Sequence, residues 1–304
     1  MYKKLAIVLV NWNSFELTRD TLESLSHTSF TDYDCIVVDN GSVDGSGIAL
    51  KKAFPNCILI QSENNKGFTG GNNLGISYAL ENGYEYVMLL NNDVAVEPNF
   101  LEPLIERLDH DPSIGAVQPL IYFHHDRNLI WNAGSKYWPL IGLPLTLMYY
   151  RKDPKHLQTK QEKKIDWITG CAFMIRSSVL KLTGNLKEKY FIYFEDVDLS
   201  FRIKKAGYAL SYVPASVIYH IAGMSHKSKT KEKEGFLSPK VHYLNGRNRI
   251  WFLKEHTPFW ALPTTFFYQF TYYSAVSFYF ISRLRFNKLK AWLKGIKEGI
   301  FEAV

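Results

Sequence analysis

Apolar residues over the first 120 positions fall into short unbroken runs that alternate with longer, helically spaced stretches. Leu5–Val10 is a continuous apolar run, as expected of a strand covered on both faces. Leu17–Leu25 has helical spacing, Cys35–Asp39 reads as a second strand and Val43–Phe54 as a second helix. Cys57–Gln61 reads as strand three, Gly70–Glu81 as a helix, Tyr86–Leu90 as strand four, Glu97–Leu108 as a helix and Ile114–Val117 as a further strand. Such alternation predicts a mostly parallel α/β sheet with right-handed crossovers and helices on both faces. Ligands of such sheets bind beyond the carboxyl ends of the strands. Those ends carry Asn11 and Asn13, Asp39 and Asn40, Asn64, and Asn91 to Asp93, so a single polar cleft is expected.

Beyond this half the pattern changes twice. Residues 121–165, with a Lys-rich stretch from Lys152 to Lys164, read as an insertion or flexible loop. Order returns at Asp166–Ile175, a helix is expected over Glu195–Ala206, strand character over Tyr208–His220, and a charged loop over Ser225–Gly235. Pro258–Ile281 has no Asp, Glu, Lys or Arg, and eleven of its 24 residues are aromatic. It is long enough to span a bilayer, but Pro263 interrupts it and aromatic rings favour the headgroup boundary. After Arg283 and Arg285, a short helix gathers Leu289, Trp292, Leu293, Ile296 and Ile300 on one stripe, with Lys288, Lys290, Lys294 and Lys297 off it. That is the pattern of a helix lying in a membrane interface. A hairpin packed on the domain or a homodimer contact is the alternative.

Charge sharpens that division. Residues 1–224 hold 22 Lys and Arg against 24 Asp and Glu, and residues 225–304 hold 14 against 5. All of the net +7 therefore lies in the last quarter, which implies an anionic partner. A membrane surface through residues 256–304 fits better than nucleic acid, because the aromatics cluster in an uncharged stretch instead of interleaving with basic residues. Three scattered cysteines without CxxC spacing fit a reducing compartment. The apolar run after Lys3 and Lys4 is too short for a secretory leader. The expected location is the cytoplasmic face of a plasma or inner membrane, held peripherally.

Several residues carry candidate chemistry. Asp93, at the end of a rigid strand, suits a hard cation such as Mg²⁺ or Mn²⁺ that takes oxygen ligands and substrate phosphates. Asn-Asp after a strand is also ordinary turn chemistry. Asp39 can accept the imide N–H of a pyrimidine or a ribose hydroxyl. Asn64–Asn73 holds Lys66 and three glycines before a helix, allowing close approach to an anion. Its spacing is neither that of a dinucleotide-binding loop nor that of an ATPase loop. Glu195, Asp196 and Asp198 open a helix; Asp196 and Asp198 point about 200° apart, so one serves as a general base and the other as a cap or a partner of Arg202. His220, with His226 as a weaker competitor, can supply a neutral imidazole to a metal.

In this order the motifs VNWN (Val10–Asn13), VDNGSVDG (Val38–Gly45), NKGFTGGNN (Asn65–Asn73), LLNNDV (Leu89–Val94), TGCAFMIR (Thr169–Arg176) and YFEDVDLSFR (Tyr193–Arg202), followed by Gly207 and His220, resemble the family 2 glycosyltransferases of the GT-A fold. The nearest likeness is to the bacterial rhamnosyltransferase-like branch. The resemblance implies a GT-A catalytic domain over residues 1–225, with a nucleotide-sugar half (1–120) and an acceptor half (121–225), and a C-terminal helical membrane-associating extension over 226–304. It implies an inverting, metal-dependent transfer of a sugar, L-rhamnose from dTDP-rhamnose first and a UDP-hexose or UDP-N-acetylhexosamine second, onto a lipid-linked or polysaccharide acceptor. Asp196 matches the catalytic base, and Asp93 and His220 match ligands of Mn²⁺ or Mg²⁺. Val10, Asn11, Asn13, Asp39, Asn40, Ser42, Asn64, Lys66, Gly67, Asn72, Asn91 and Asn92 match the donor site. Gly170, Cys171, Glu195, Asp198 and Arg202 fall on the acceptor side or behind the site. Asn91 stands where many members carry Asp, and Leu186-Lys187-Glu188 stands where relatives often carry Phe-Asp-Glu. A sugar nucleotidylyltransferase needs a Gly- and Arg-rich loop after the first strand, where this chain has Asn11-Trp12-Asn13-Ser14.

Overall fold

A computed structural model describes residues 3–153, 161–221, 227–232 and 234–302. In chain order it shows β1 (Leu5–Asn11), α1 (Phe15–Ser26), β2 (Tyr33–Asn40), α2 (Ser46–Ala53), β3 (Ile58–Ser62), α3 (Gly67–Glu81), β4 (Tyr86–Leu90), β5 (Val94–Val96) and α4 (Leu101–His110). There follow β6 (Ile114–Phe123), β7 (Asp126–Asn132), β8 (Ser135–Trp138), β9 (Leu143–Thr146), β10 (Lys163–Ile165), β11 (Ala172–Arg176), α5 (Ser177–Thr183), α6 (Glu195–Lys205) and β12 (Ala209–His220). The last elements are β13 (Lys227–Glu232), β14 (Gly235–Leu237), α7 (Pro239–His256), α8 (Leu262–Ser282) and α9 (Phe286–Phe301). The chain divides into two units. Met1–Lys136, Thr146–Phe191 and Glu195–Ala222 form one, and Tyr137–Leu145, Ile192–Phe194 and Gly223–Val304 the other.

The first unit is built on one mixed sheet, ordered β10-β12-β6-β11-β4-β1-β2-β3, with β5 on β12 and β7 on β6. Strands β3, β2, β1 and β4 are parallel, and β11 runs antiparallel between β4 and β6. Alternate residues of β1 explain its unbroken apolar run. Leu5, Ile7 and Leu9 join a core with Leu22 and Leu25 of α1, Leu50 of α2 and Leu104 and Leu108 of α4. Ala6 and Val8 join the opposite core with Ile76 and Ala79 of α3, Val179 of α5 and Leu199 and Ile203 of α6. Helix α3 comes close to the sheet because Gly71 and Gly75 present no side chain to Val10 and Val8 of β1.

Register gathers the polar strand ends. Asn11 pairs beside Asp39, and Asn40 beside Ser62. Because β11 is antiparallel to β4, Ala172 sits opposite Leu90, which brings the preceding Gly170 and Cys171 to the edge where Asn91 to Asp93 emerge. Strand β5 turns back onto β12 and sets Val94 opposite His220.

Several expected boundaries move. Helix α2 starts at Ser46 and not Val43, since Gly45 holds a left-handed φ of 75° immediately before it. Helix α3 starts at Gly67, and α4 starts at Leu101 because β5 and a turn from Glu97 to Phe100 come first. Residues 121–165 are not chiefly a loop: β6 runs on to Phe123 and β7 to β10 follow, while residues 154–160 of the Lys-rich stretch lie outside the described residues. Where a charged loop was expected over Ser225–Gly235, β13 pairs with β14; Ser225 and His226 lie outside the described residues.

In the second unit, α9 packs along α7 through small residues. Gly295 lies against the Tyr243 carbonyl, Gly299 against the Arg247 carbonyl and Ile250, and Gly246 of α7 against the Trp292 ring. The buried line of α9 is therefore Lys288, Trp292, Gly295 and Gly299, and of the expected apolar stripe Leu293 and Ile300 stay half exposed. Pro263 does not interrupt the uncharged segment: it sits in the first turn of α8, where its missing N–H costs nothing.

Candidate active site

At the end of β1, the fully buried Asn11 organises the first part of the site. Its Nδ2 donates to Ser46 Oγ at 2.8 Å and lies 3.3 Å from Ser42 Oγ and 3.4 Å from Asp39 Oδ1. Its Oδ1 accepts from Thr18 Oγ1 at 2.8 Å, and Thr18 Oγ1 accepts from Asn92 Nδ2 at 2.8 Å. Asp39 is buried against Gly47, whose lack of a side chain leaves room for the carboxylate. Asn13 and Ser42 lock two loops together: Asn13 N donates to Ser42 Oγ at 2.9 Å, and Asn13 Oδ1 accepts from Val43 N at 2.8 Å. Asn13 holds a left-handed φ of 48° to do so. Val10 supports this end through its contact with Gly71.

Asn40 fixes the loop before α3. Its Nδ2 donates to Gly67 O at 2.9 Å and its Oδ1 accepts from Lys66 N at 3.0 Å. The backbone of Asn64 and Asn65 lies close over Gly41, and Gly67 has a φ of 75°. Lys66 and Asn64 are exposed on this loop. Asn72, expected in the donor site, is turned into its own helix: Nδ2 donates to Phe68 O at 2.8 Å, and the residue is buried.

Asp93 and His220 meet in a buried pair, with Asp93 Oδ1 3.1 Å from His220 Nε2. The same ring nitrogen lies 3.3 Å from Asn91 Nδ2, and the ring stands edge-on to Trp131 with centroids 4.6 Å apart. Burial opposes protonation of His220, but neighbouring Cys171 and Asp93 outweigh it and carry the imidazole up to about 10. Asn91 N donates to Cys171 O at 2.9 Å.

Next in the chain to Cys171, Gly170 N donates to Asp196 Oδ2 at 2.8 Å. Val197 N donates to Asp196 Oδ1 at 2.8 Å. Burial raises the Asp196 carboxyl above its ordinary value, and these two N–H groups oppose the rise. Glu195 is buried, its Oε2 has no hydrogen-bond partner among the described residues, and burial followed by the charge of Asp196 pushes it well above the carboxylate range. Asp198 and Arg202 form the expected ion pair: Asp198 is held by Arg202 Nε at 2.8 Å and Lys187 Nζ at 3.1 Å. Arg202 also donates to the carbonyls of Thr183, Gly184 and Asn185. Ahead of Glu195 in the chain, Phe191, Tyr193 and Phe194 all have φ between 64° and 76°. Such backbone costs about 1–3 kcal/mol per residue and clusters at functional sites.

Seven of the sequence-predicted residues are thus linked in one line. It runs from Asp39 through Asn11 and Thr18 to Asn92, along the chain to Asn91, across to Cys171, and from Gly170 to Asp196. Thr18 and Ser46 were missed by sequence reasoning. Thr18 had a signal: it is a polar residue on the core-facing side of α1, in line with Thr21, Leu22 and Leu25.

A parallel half joined through an antiparallel strand to a second half, with acids gathered at the strand ends, is the architecture of a glycosyltransferase of the GT-A fold. Residues 6–183 match the family described as Glycosyl transferase family 2, and the chain belongs to that family. It is 25% identical over 276 residues to the N-acetylglucosaminyl-diphospho-decaprenol L-rhamnosyltransferase of Mycobacterium tuberculosis, covering 85% of this chain and 87% of that one. Among solved structures it is similar to GalNAc-T7 with UDP, GalNAc and Mn²⁺, at TM-score 0.63 and 17% identity, over 83% of this chain and 48% of that one. It is also similar to a mannosyltransferase from Pyrobaculum calidifontis in complex with GDP-Man and Mn²⁺, at TM-score 0.57 and 13% identity, over 100% of this chain and 89% of that one.

Proposed function

We propose that this glycosyltransferase is inverting, takes L-rhamnose from dTDP-rhamnose, and delivers it to a hydroxyl of a sugar carried on a lipid diphosphate. The observation that carries the assignment of roles is the unbroken line of contacts from Asp39 to Asp196. The choice of sugar and acceptor rests on the mycobacterial relative. Asp39 accepts the imide N–H of the base, held in place by Asn11 and by the space at Gly47. The loop at Asn64–Gly67, pinned by Asn40, faces the diphosphate with Lys66 and backbone N–H groups.

Asp93 and His220 fit a divalent cation. Their facing atoms, a carboxylate oxygen and a ring nitrogen 3.1 Å apart, are donor types that Mn²⁺ or Mg²⁺ would accept. When bound, Mn²⁺ or Mg²⁺ neutralises charge that develops on the leaving diphosphate. Asp196, aimed by Gly170, takes the proton from the acceptor hydroxyl as its oxygen bonds to the anomeric carbon and the carbon–phosphate oxygen bond breaks. Nucleophile and leaving group lie on opposite faces, so configuration inverts.

A donor panel of dTDP-rhamnose, UDP-hexoses and UDP-N-acetylhexosamines, offered with a lipid-diphosphate sugar and scored by mass spectrometry, tests this. Rhamnose transfer with inverted configuration is expected. Transfer from a UDP-sugar alone would replace the donor assignment, and retained configuration would overturn the role of Asp196.

A further inference from the structure

Beside the Asp93–His220 pair, the end of β6 carries a cluster of rings that the transfer steps leave unused. Phe123 sits opposite His220 in the register of β6 and β12, and His124 N donates to His220 O at 2.9 Å. Between centroids the Phe123 ring lies 4.8 Å from Tyr150, 5.9 Å from Tyr149 and 5.2 Å from His125, and the two tyrosine rings meet edge to face at 4.6 Å. Phe123 is buried, whereas Tyr149 is 51% and Tyr150 59% exposed. The backbone holds both tyrosines outward. Tyr150 N donates to Ile130 O of β7 and Ile130 N to Arg151 O, at 2.9 Å each, while Met148 packs against the core. Met148 and Tyr150 each take a left-handed φ of 62° to do so. Strain of this kind, pinned by hydrogen bonds to a strand, is what functional sites retain.

We propose that Tyr149 and Tyr150, backed by Phe123, form a platform on which a pyranose ring of the acceptor glycan stacks. This rests on the reading of the chain as a transferase to a sugar hydroxyl, and adds where that sugar is held. Strand order selects the occupant. The sheet runs β6-β11-β4-β1-β2, so Asn91 to Asp93, just past β4, come between the platform strand and Asp39 on β2. A donor stretched from Asp39 to Asp93 and His220 leaves the platform side to the acceptor. Ring chemistry agrees. The C–H bonds on one face of a pyranose are drawn to the negative face of an aromatic ring. Its hydroxyls need polar edges, which the two phenol groups and the exposed His125 supply. Size argues against a protein partner: two half-exposed tyrosines offer roughly 200 Å², against about 800 Å² per side in a stable interface.

Saturation-transfer NMR of the full chain with the methyl glycosides of glucose and N-acetylglucosamine tests the platform without any donor. Ring C–H protons of the glycoside receive saturation from wild type. Tyr149→Phe/Tyr150→Phe keeps both rings and keeps that transfer. Tyr149→Leu/Tyr150→Leu stays apolar but has no π face, and weakens binding at least about five-fold; either single leucine variant weakens it about two-fold or more. In transfer assays the double leucine variant raises acceptor KM by the same factor, while donor KM holds at the wild-type value. A thermal melt of each variant reports its folding. The platform is overturned if wild type passes no saturation to the ring protons, or if folded leucine variants, double or single, bind as well as wild type. It is equally overturned if sedimentation shows a dimer that the leucine variants dissociate. A chain that binds the glycosides through these rings yet moves no rhamnose upholds the platform and overturns the donor assignment alone.

Discussion

Replacing Asp196 with asparagine keeps the shape of the side chain and removes its basicity. Two N–H groups, from Gly170 and Val197, now reach the two carboxylate oxygens at 2.8 Å each. Asparagine has one oxygen, so one N–H then faces an NH₂ group and loses its acceptor, at about 1–3 kcal/mol of stability. The chemical loss is larger: without a proton acceptor in place, turnover falls by about two to four orders of magnitude. The proposed donor site comprises Asn11, Asp39 and the Asn40-pinned loop, none of which touches Asp196, so donor affinity is expected to stay within about two-fold. The assay is initial-rate transfer with saturating donor, paired with a donor-binding titration and a thermal melt. In wild type the acid limb of kcat/KM lies above the ordinary aspartate range, because burial raises Asp196 and the base works only when ionised. Asp196→Asn flattens that limb. Turnover near wild type, or lost donor binding with the melt unchanged, refutes the assignment of Asp196 as base.

Glu195 gives a pH signature of opposite practical sense. Burial and the charge of Asp196 hold its carboxyl well above the usual range. Ionising it disfavours the folded state, so the stability tied to its neutral form is present in acid and lost as pH rises through the raised value. Glu195→Gln therefore raises Tm more at about pH 8 than at about pH 5, and an equal gain at both would count against this. Gly47→Ala puts a methyl group onto the Asp39 carboxylate; donor KM rises at least about ten-fold with kcat retained, as steady-state kinetics will report. Arg202→Ala strips the fully buried Asp198 of its closest partner and leaves it only Lys187 at 3.1 Å among these two cations, costing about 1.5–3 kcal/mol in denaturant unfolding.

The strands that line the site were legible because both of their faces are buried and their polar ends break the pattern abruptly. Leu5–Val10 and Tyr86–Leu90 read as strands for that reason, the first running one residue further to Asn11. The β7–β10 region did not, because its strands are short and only partly covered: Leu143–Thr146 is half buried throughout, and Lys163–Ile165 carries two lysines. In α9 the apolar stripe misled for a geometric reason. Two helices approach most closely where side chains are smallest, so Gly295 and Gly299 set the contact with α7 and rotate Leu293 and Ile300 outward. Asn72 reads as a site residue in a Gly- and Asn-rich loop, yet α3 begins three residues earlier than the pattern suggests, which places Asn72 well inside the helix with Phe68 O within reach.

Three carboxylates in four residues, Glu195, Asp196 and Asp198, meet three fates, and the helix is what separates them. Successive α6 positions turn by about 100°, so neighbours in sequence face different surroundings. Asp198 turns toward Lys187 and Arg202 and becomes a tie for the chain from Thr183 to Asn185. Glu195 turns into a place with no partner for one of its oxygens, where charge is costly. Asp196 alone meets a backbone N–H from the strand-edge segment that also carries Cys171 and, through it, Asn91. In the proposed mechanism the proton acceptor must be ionisable near neutral pH and not already engaged by cations. Glu195 fails the first condition by burial and Asp198 the second by its ion pairs, which is why the proposal gives the role to Asp196.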